Sequence, residues 1–544
     1  MLVTILDGYI DEPSCLGIPP YISPYVRYAA GAIKDTGHDY QYITIDQWRK
    51  GQKIKGRVLL IITGAVVPGR YLRGMPISFN EFYKITSTFK GVKILGGAAA
   101  SYGIGQGGGK EPKKSNNLVD YAVKKDADAF IFDFLNKEIN DRKRTANEWK
   151  KWSVLGAEVV KYHPDFPNPL IAEVETYRGC TRYISGGCSF CMEPLFGKPI
   201  VRDAKDIVNE IKILYDIGVK NFRLGCQSCF YSYSAKGIGK SELPEPNVNA
   251  IKKLLEGIRK KAPMLNVLHI DNVNPAIIAE YPEKAIEITE LIKQYCTPGN
   301  TAAFGMESAD MEVIKKNNLN ATPEEVMKAI EIINGIGRER GSNGMPYFLP
   351  GLNILYGLPG ENANTYKKNY AFLKSVIDRG LLLRRVNIRQ VIPIRIKNLK
   401  IDKKRFKEFK RVVDENINRP MLEKIVPYGT VLKNVFLEIN KGNATFGRQV
   451  GSYPLLVCLP YKKNVGKFVD VKIKDYGYRS ITGIEYPLNI NHANMKAIES
   501  LPAIGKKRAV RIMANRPFKN FEELYKIMDS VFNKEEVNNW ISLK

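Results

Sequence analysis

Glu175-Thr-Tyr-Arg-Gly-Cys180-Thr-Arg-Tyr-Ile-Ser-Gly-Gly-Cys188-Ser-Phe-Cys191 is the stretch that decides the fold. It leaves the apolar, β-rich run LIAEVETY (170–177) and turns through glycines, so it reads as a loop at the C-terminal end of a strand. Three thiolates on one loop can hold three irons of a four-iron cluster and leave the fourth iron open to another ligand. The alternative is a zinc site, which wants a fourth Cys or His in tetrahedral array. None lies between Gly179 and Lys198.

Downstream of that loop the same rhythm repeats. VKNFRLGC (219–226), LNVLHIDNV (265–273), TAAFGMES (301–308), GLNILYGLPG (351–360) and RRVNIRQVIPI (384–394) are strand-like, separated by amphipathic helical stretches, and a glycine or polar cluster ends each strand. Parallel α/β folds place their ligands at such ends. Six units predict a partial (β/α)6 barrel over 165–400. Upstream, LVTILDGY, YQYITID, VLLIITGAV, VKILGGAAA and DAFIFDF alternate with helical stretches over 1–150, the pattern of a Rossmann-like open sheet. After a basic helix from Lys403, short strands with glycines at their corners predict a small β-barrel over 425–486. A helical unit, 487–544, follows. The fold class is therefore α/β.

The 544 residues carry 83 Lys and Arg against 56 Asp and Glu, a formal net charge of +27, which favours a polyanionic partner. Eight cysteines in such a length are too few for a disulfide scaffold, and their clustering suggests ligands in a reducing compartment. No run reaches the length of a membrane span and the N-terminus has no signal-peptide pattern, so the expectation is a cytoplasmic protein with no membrane partner.

Arg178-Gly-Cys180 at a strand end, followed by Cys188-Ser-Phe-Cys191, resembles the signature loop of the radical S-adenosylmethionine (SAM) superfamily. The family has three residues between its first two cysteines and this chain has seven, which we read as a loop insertion. The resemblance implies a 4Fe-4S cluster on Cys180, Cys188 and Cys191, with SAM chelating the open iron and cleaved by one electron to a 5′-deoxyadenosyl radical. It further implies SAM contacts from Gly225, Cys226 and Gln227, where the family reads Gly-Gly-Glu, from Glu307 and Ser308 at the ribose, and from Gly357 and Gly360 at the adenine. Cys226-Gln-Ser-Cys229 reads either as part of an auxiliary cluster or as ordinary buried cysteines.

Pro19-Pro20 to Tyr25, His38 and Gly96-Gly97 resemble the N-terminal half of cobalamin-type radical SAM proteins, although Asp-x-His-x-x-Gly is absent. Cobalamin is implied as an optional cofactor. The strand order from Gly429 to Gly483 is similar to a TRAM domain, an RNA-binding barrel, with Arg448 as a candidate contact, and a generic oligonucleotide-binding or SH3-like barrel is the alternative. Leu501-Pro-Ala-Ile-Gly505-Lys506-Lys507-Arg508, with Arg511 beyond it, resembles a helix-hairpin-helix, which offers backbone N–H groups and cations to phosphate. Ala503 stands where that family has glycine.

This architecture is similar to that of tRNA methylthiotransferases, whose three further N-terminal cysteines are reduced here to Cys15. The function implied is a radical SAM tRNA-modifying transferase, a C-methylase of a hypermodified nucleoside with threonylcarbamoyladenosine at position 37 as candidate. Its partners would be tRNA and a ferredoxin- or flavodoxin-like electron donor. The alternatives are tRNA methylthiotransfer and a nucleic-acid-binding or repair protein with a structural cluster. Chemistry and RNA contacts are expected in separable modules, divided before Tyr428.

Overall fold

Strand β1 (Leu2–Asp7) is apolar on both faces, and it runs parallel to β3 (Asp39–Thr44) on one side and β4 (Val58–Ile62) on the other. Such a run is buried on both sides only if helices cover both faces. β5 (Val92–Gly96) and a short β6 (Tyr121–Ala122) complete an all-parallel sheet of order β3-β1-β4-β5-β6. This is a computed structural model, and it describes residues 1–10, 21–64, 72–397, 399–529 and 534–544. Cys15 and Pro19-Pro20 lie outside the described residues. DAFIFDF is not a strand. Residues Ala127–Leu135 form a helix, because a short apolar run fits either state and the sheet is already completed by Tyr121–Ala122.

Tyr21–Ile22 (β2) does not join that sheet. It pairs in parallel with β7 (Ile171–Glu175), the first barrel strand. The helix Pro24–Asp35 that follows is buried along most of its length, and it packs closely on the helix Ala146–Leu155. Glycine permits the approach: a Cβ at Gly31 would stand 2.1 Å from the Trp152 carbonyl oxygen, and one at Gly156 would stand 1.7 Å from that of Arg27.

A two-residue clasp, β8 (Tyr177–Arg178) against β9 (Ile200–Val201), separates β7 from β10 (Asn221–Gly225). β11 (Val267–Ile270), β12 (Asn272–Val273), β13 (Asn300–Glu307), β14 (Phe348–Tyr356) and β15 (Arg385–Gln390) continue in parallel, so the sequence order β7-β10-β11/β12-β13-β14-β15 is also the spatial order of a partial barrel. Its outer helices are amphipathic at the required spacing. In Ala204–Ile217, for example, Ile207, Ile211 and Leu214 are buried, Asp203 caps the start, and Gly218 at φ +125° ends it.

The chain divides into two units. The first holds Met1–Arg338, Tyr347–Lys410 and Gly451–Tyr453; the second holds Glu339–Pro346, Arg411–Val450 and Pro454–Lys544. In the second unit β16 (Val431–Lys441), β17 (Ala444–Gln449), β18 (Leu456–Leu459), β19 (Phe468–Tyr476) and β20 (Ser480–Glu485) close a barrel of order β16-β17-β18-β20-β19, with β18 and β20 parallel. Five strands closed in a Greek-key order are the architecture of oligonucleotide-binding barrels.

Gly451–Tyr453, the link between β17 and β18, belongs to the first unit. Its three residues are buried in the barrel interior. Ser452 N–H donates to His269 Nδ1 (2.9 Å), Tyr453 O–H donates to Asp271 (2.9 Å), and the Arg385 guanidinium lies 3.8 Å from the Tyr453 ring centre. Asp271 also pairs with Arg223 (2.5 Å), which reaches Glu173 (3.2 Å), which accepts from Tyr21. The expected division before Tyr428 therefore removes a residue of the barrel's own interior.

Candidate functional site

The β8–β9 clasp closes the base of the cysteine loop, and Arg178 pins it. Its guanidinium donates to Glu175 (3.0 Å) and to Asp126, and lies 5.3 Å from the Tyr25 ring centre. Burial pushes the Asp126 carboxyl up, but Arg144 and Arg178 outweigh burial and hold it well below the usual range. The seven-residue insertion is structured: Thr181–Ile184 form a 3-10 turn, and Arg182 spreads its fork over four acceptors. These are Cys188 Sγ (3.2 Å), the Asn318 carbonyl (2.9 Å) and amide oxygens (2.8 Å), and Glu242 (3.1 Å). Arg395 donates to the carbonyls of Gly186 (3.2 Å), Cys188 (3.0 Å) and Cys191 (2.6 Å).

Cys180, Cys188 and Cys191 are each partly accessible. Burial raises the pKa of all three, Cys188 to about 12, and Cys188 and Cys191 are both raised further by Cys180. The metal-free loop thus holds protonated thiols that a metal centre would deprotonate on binding. Among the described residues no three His, Cys, Asp or Glu side chains converge as holders of one metal ion, the arrangement a zinc site needs. A four-iron cube instead takes each thiolate at a different corner. The donor set, with two arginines directed at the loop, fits the cube.

The other strand ends surround this loop. Gly225 leaves room for Glu173, whose Oε1 would stand 1.8 Å from a Cβ there. Cys226 has φ +61°. Gln227 is buried and engaged, accepting from Thr176 O–H (3.1 Å) and donating to the Leu224 carbonyl (3.0 Å), so it shapes the strand end rather than presenting a free amide. Cys229 is a core thiol whose Sγ accepts from the Asn274 N–H (3.2 Å). The Cys226/Cys229 pair therefore has no third ligand among the described residues. Glu307 follows a register shift, has φ +62°, and is pushed by burial to a pKa of about 8 against the opposing pull of Arg389. It can therefore donate a hydrogen bond at neutral pH. Ser308 accepts from the Asp310 N–H (3.1 Å) and serves the following turn. At the β14 end Glu361 accepts from the N–H groups of Gly357 (3.0 Å) and Leu358 (2.9 Å), fixing a turn in which Gly357 and Gly360 both take positive φ.

In the N-terminal sheet, His38 sits in the turn before β3, its Nδ1 2.9 Å from the Thr36 carbonyl. That is the end opposite the strands' C-termini, where open parallel sheets bind ligands. Gly96 and Gly97 serve packing: their Cβ atoms would each stand 2.4 Å from a neighbour, Ala127 Cβ and the Thr63 carbonyl oxygen. The loops after β1 and β4 include residues 11–20 and 65–71, outside the described residues. Neither His38 nor Gly96-Gly97 is thus placed to hold a corrin.

In the second unit Arg448 is locked in a two-pronged ion pair with Glu438 (2.6 and 2.9 Å), so it is not a free phosphate contact. Gly505 begins the helix Lys506–Asn515, with Lys506, Lys507 and Arg511 exposed beside it. Ala503 adopts φ +56°, the conformation for which glycine is the usual residue. Arg508 pairs with Asp529 (2.9 Å). Among the described residues no helix is long and apolar enough to cross a membrane.

The family profile of the radical SAM superfamily matches residues 174–373. An uncharacterized protein of Methanocaldococcus jannaschii is 47% identical over 505 residues, covering 88% of this chain and 92% of that protein. The ribosomal protein uS12 methylthiotransferase RimO of Phocaeicola vulgatus is 26% identical over 212 residues, 38% of this chain and 41% of its own. The radical SAM methyltransferase TsrM of Kitasatospora setae, solved with cobalamin and a 4Fe-4S cluster bound, aligns over 72% of both chains at 12% identity with a TM-score of 0.47. From the profile, the extended relative and the cysteine loop, the chain belongs to the radical SAM superfamily, whose members use a 4Fe-4S cluster and SAM.

Proposed function

We propose that this radical SAM enzyme methylates a carbon of a hypermodified nucleoside in tRNA, with threonylcarbamoyladenosine at position 37 as the candidate. One observation carries the reading: the chain that holds the cysteine loop also holds a closed five-stranded barrel of oligonucleotide-binding order. The helix beginning at Lys506, read as the second helix of a helix-hairpin-helix, adds exposed Lys506, Lys507 and Arg511 for phosphates. A ferredoxin- or flavodoxin-like donor would supply electrons. Cobalamin remains an optional cofactor. RimO, a methylthiotransferase, performs a group transfer of the kind proposed. Methylthiotransfer through Cys226 and Cys229 loses support, since Cys229 is engaged in the core.

The cluster and SAM, when bound, supply a primary carbon radical. The chain's own residues do the rest. Cys180, Cys188 and Cys191 hold the irons, and Arg182 and Arg395 fix the loop's shape. Protonated Glu307 offers a donor to a ribose hydroxyl, and the Gly357–Glu361 turn lays backbone against the adenine. Cys188, Phe190 and Leu355 pack on the apolar cluster of Val313, Ile314, Leu319, Leu358 and Val391. The test is mass spectrometry of tRNA nucleosides from cells with and without the gene. We expect one methylated nucleoside to vanish and its unmethylated precursor to accumulate; identical nucleoside profiles would end the tRNA reading.

A further inference from the structure

The segment that leaves the last barrel strand is fastened beside the cysteine loop before it becomes a helix. Arg395 donates to the loop carbonyls, and Ile396 and Leu399 pack on the same apolar cluster as Cys188 and Phe190. Ile401 lies against the turn that ends β14: a Cβ at Gly357 would stand 3.0 Å from its Cγ1, and one at Gly109 would stand 3.0 Å from its Cδ1. Asp402 then caps the helix Lys403–Val413, accepting from the N–H groups of Lys404 (3.1 Å) and Arg405 (3.0 Å). The start of this helix is therefore held at the C-terminal ends of the strands, next to the site.

The aromatic face of the helix is already spent. Phe406 and Phe409 meet the Tyr356 ring edge-on, with centres 5.8 and 5.3 Å apart, and Phe409 also meets Tyr366 (5.5 Å). Tyr356 is the last residue of β14, one before Gly357. The opposite face is cationic: Lys403, Lys404 and Lys407 are exposed, and Lys403 and Lys407 stand about 6 Å apart along the axis. Among the described residues Arg405 reaches Asp402 (3.9 Å), whereas these three lysines form no salt bridge. From Lys397 to Lys410 the chain carries seven cations against two acids, so the positive field around the helix start is not cancelled locally. A basic amphipathic helix can lie on an anionic lipid surface, but it does so by inserting its apolar face. Here that face packs on Tyr356 and Tyr366, which leaves cations alone to meet a polyanion. Binding by cations alone suits the phosphates of a nucleic acid.

We infer that Lys403, Lys404 and Lys407 grip phosphates of the RNA strand that carries the target nucleoside, beside the cysteine loop. The inference rests on the proposed RNA substrate and adds a contact surface separate from the β16–β20 barrel and from Lys506, Lys507 and Arg511. The test uses full-length, anaerobically reconstituted enzyme and an anticodon stem-loop transcript, bound in filter assays over a salt series. Lys403→Gln, Lys404→Gln and Lys407→Gln together should weaken binding about tenfold and reduce the magnitude of the slope of log affinity against log salt by about 2 to 3. Arginine at the same three positions should keep the slope and hold affinity within about threefold of wild type. Lys253→Gln, Lys260→Gln and Lys261→Gln remove the same charge from exposed positions of the helix Val248–Lys261 and should cost less than about threefold. Unchanged affinity and slope in the first variant, or an equal loss in the last, would overturn the inference and leave the RNA reading standing. A wild type that binds phosphatidylserine vesicles and not the transcript would overturn both. Lysine-dependent binding of the transcript, with identical tRNA nucleosides in cells with and without the gene, would support the phosphate grip and remove the proposed target.

Discussion

Replacing Arg182 by methionine tests whether the insertion between Cys180 and Cys188 is part of the redox site. Arg182 Nη1 lies 3.2 Å from Cys188 Sγ. A cluster held through that sulfur would bring the added electron to about 6 Å from the guanidinium, where an effective dielectric of ~20 would give about 3 kcal/mol of stabilisation. For a one-electron couple about 1.4 kcal/mol corresponds to about 59 mV, so losing the cation should lower the cluster potential by on the order of 100 mV. The variant also loses both bonds to Asn318, which tie the loop to the end of the helix Met311–Lys316, so iron retention should fall as well. Arg182→Lys keeps the charge without the fork, and its potential should stay within about 30 mV of wild type. The assay is an electron paramagnetic resonance redox titration of the reconstituted protein. An Arg182→Met enzyme with a full complement of iron and a potential within about 20 mV of wild type would refute the reasoning.

Alanine at Cys180, Cys188 or Cys191 should abolish cluster absorbance and 5′-deoxyadenosine formation, as measured by iron analysis and chromatography. Gly225→Ala places a Cβ 1.8 Å from Glu173 Oε1 and disturbs the Glu173–Arg223–Asp271 line, so we expect about 2–4 kcal/mol of destabilisation, read as a lower thermal midpoint. Burial lowers the pKa of His163 and His269 from 6.5 to about 4. The neutral forms are thus favoured by the fold, and the stability they contribute is present above pH 6.5 and lost as pH falls through 4, on the order of 3 kcal/mol each. Urea unfolding of wild type and of a His163→Asn, His269→Gln variant at pH 7 and pH 4.5 should show a smaller acid loss in the variant. Gln at Lys506, Lys507 and Arg511 should weaken tRNA binding in filter assays and reduce the magnitude of the slope of log affinity against log salt by about 2 to 3.

The catalytic core was legible because each feature is local in the chain. Three cysteines share a twelve-residue loop, and each residue that the family resemblance assigns to SAM lies at the end of a strand whose apolar run announces it. What stayed hidden depends on partners far off in sequence. Arg182 takes its meaning from Asn318, Arg448 is taken up by Glu438, and Arg508 is paired with Asp529. Gly96-Gly97 reads as a ligand loop in sequence, yet the packing of Ala127 and Thr63 explains both glycines. DAFIFDF fails for a different reason, since seven apolar-rich residues carry too little periodicity to distinguish strand from helix.

Tyr453 sits in the barrel interior at φ +50°, donating to Asp271 and stacked under Arg385, although it is the last contribution of the chain to that interior and lies 182 residues beyond Asp271. A ribosome that has delivered every catalytic residue has still not delivered this one. Until it arrives, the Arg223–Asp271 pair and Arg385 line an interior missing one of its walls, so a nascent or clipped chain should remain unable to hold SAM away from water. A protein cut before Tyr428 should therefore fail to cleave SAM for want of Tyr453 rather than for want of RNA.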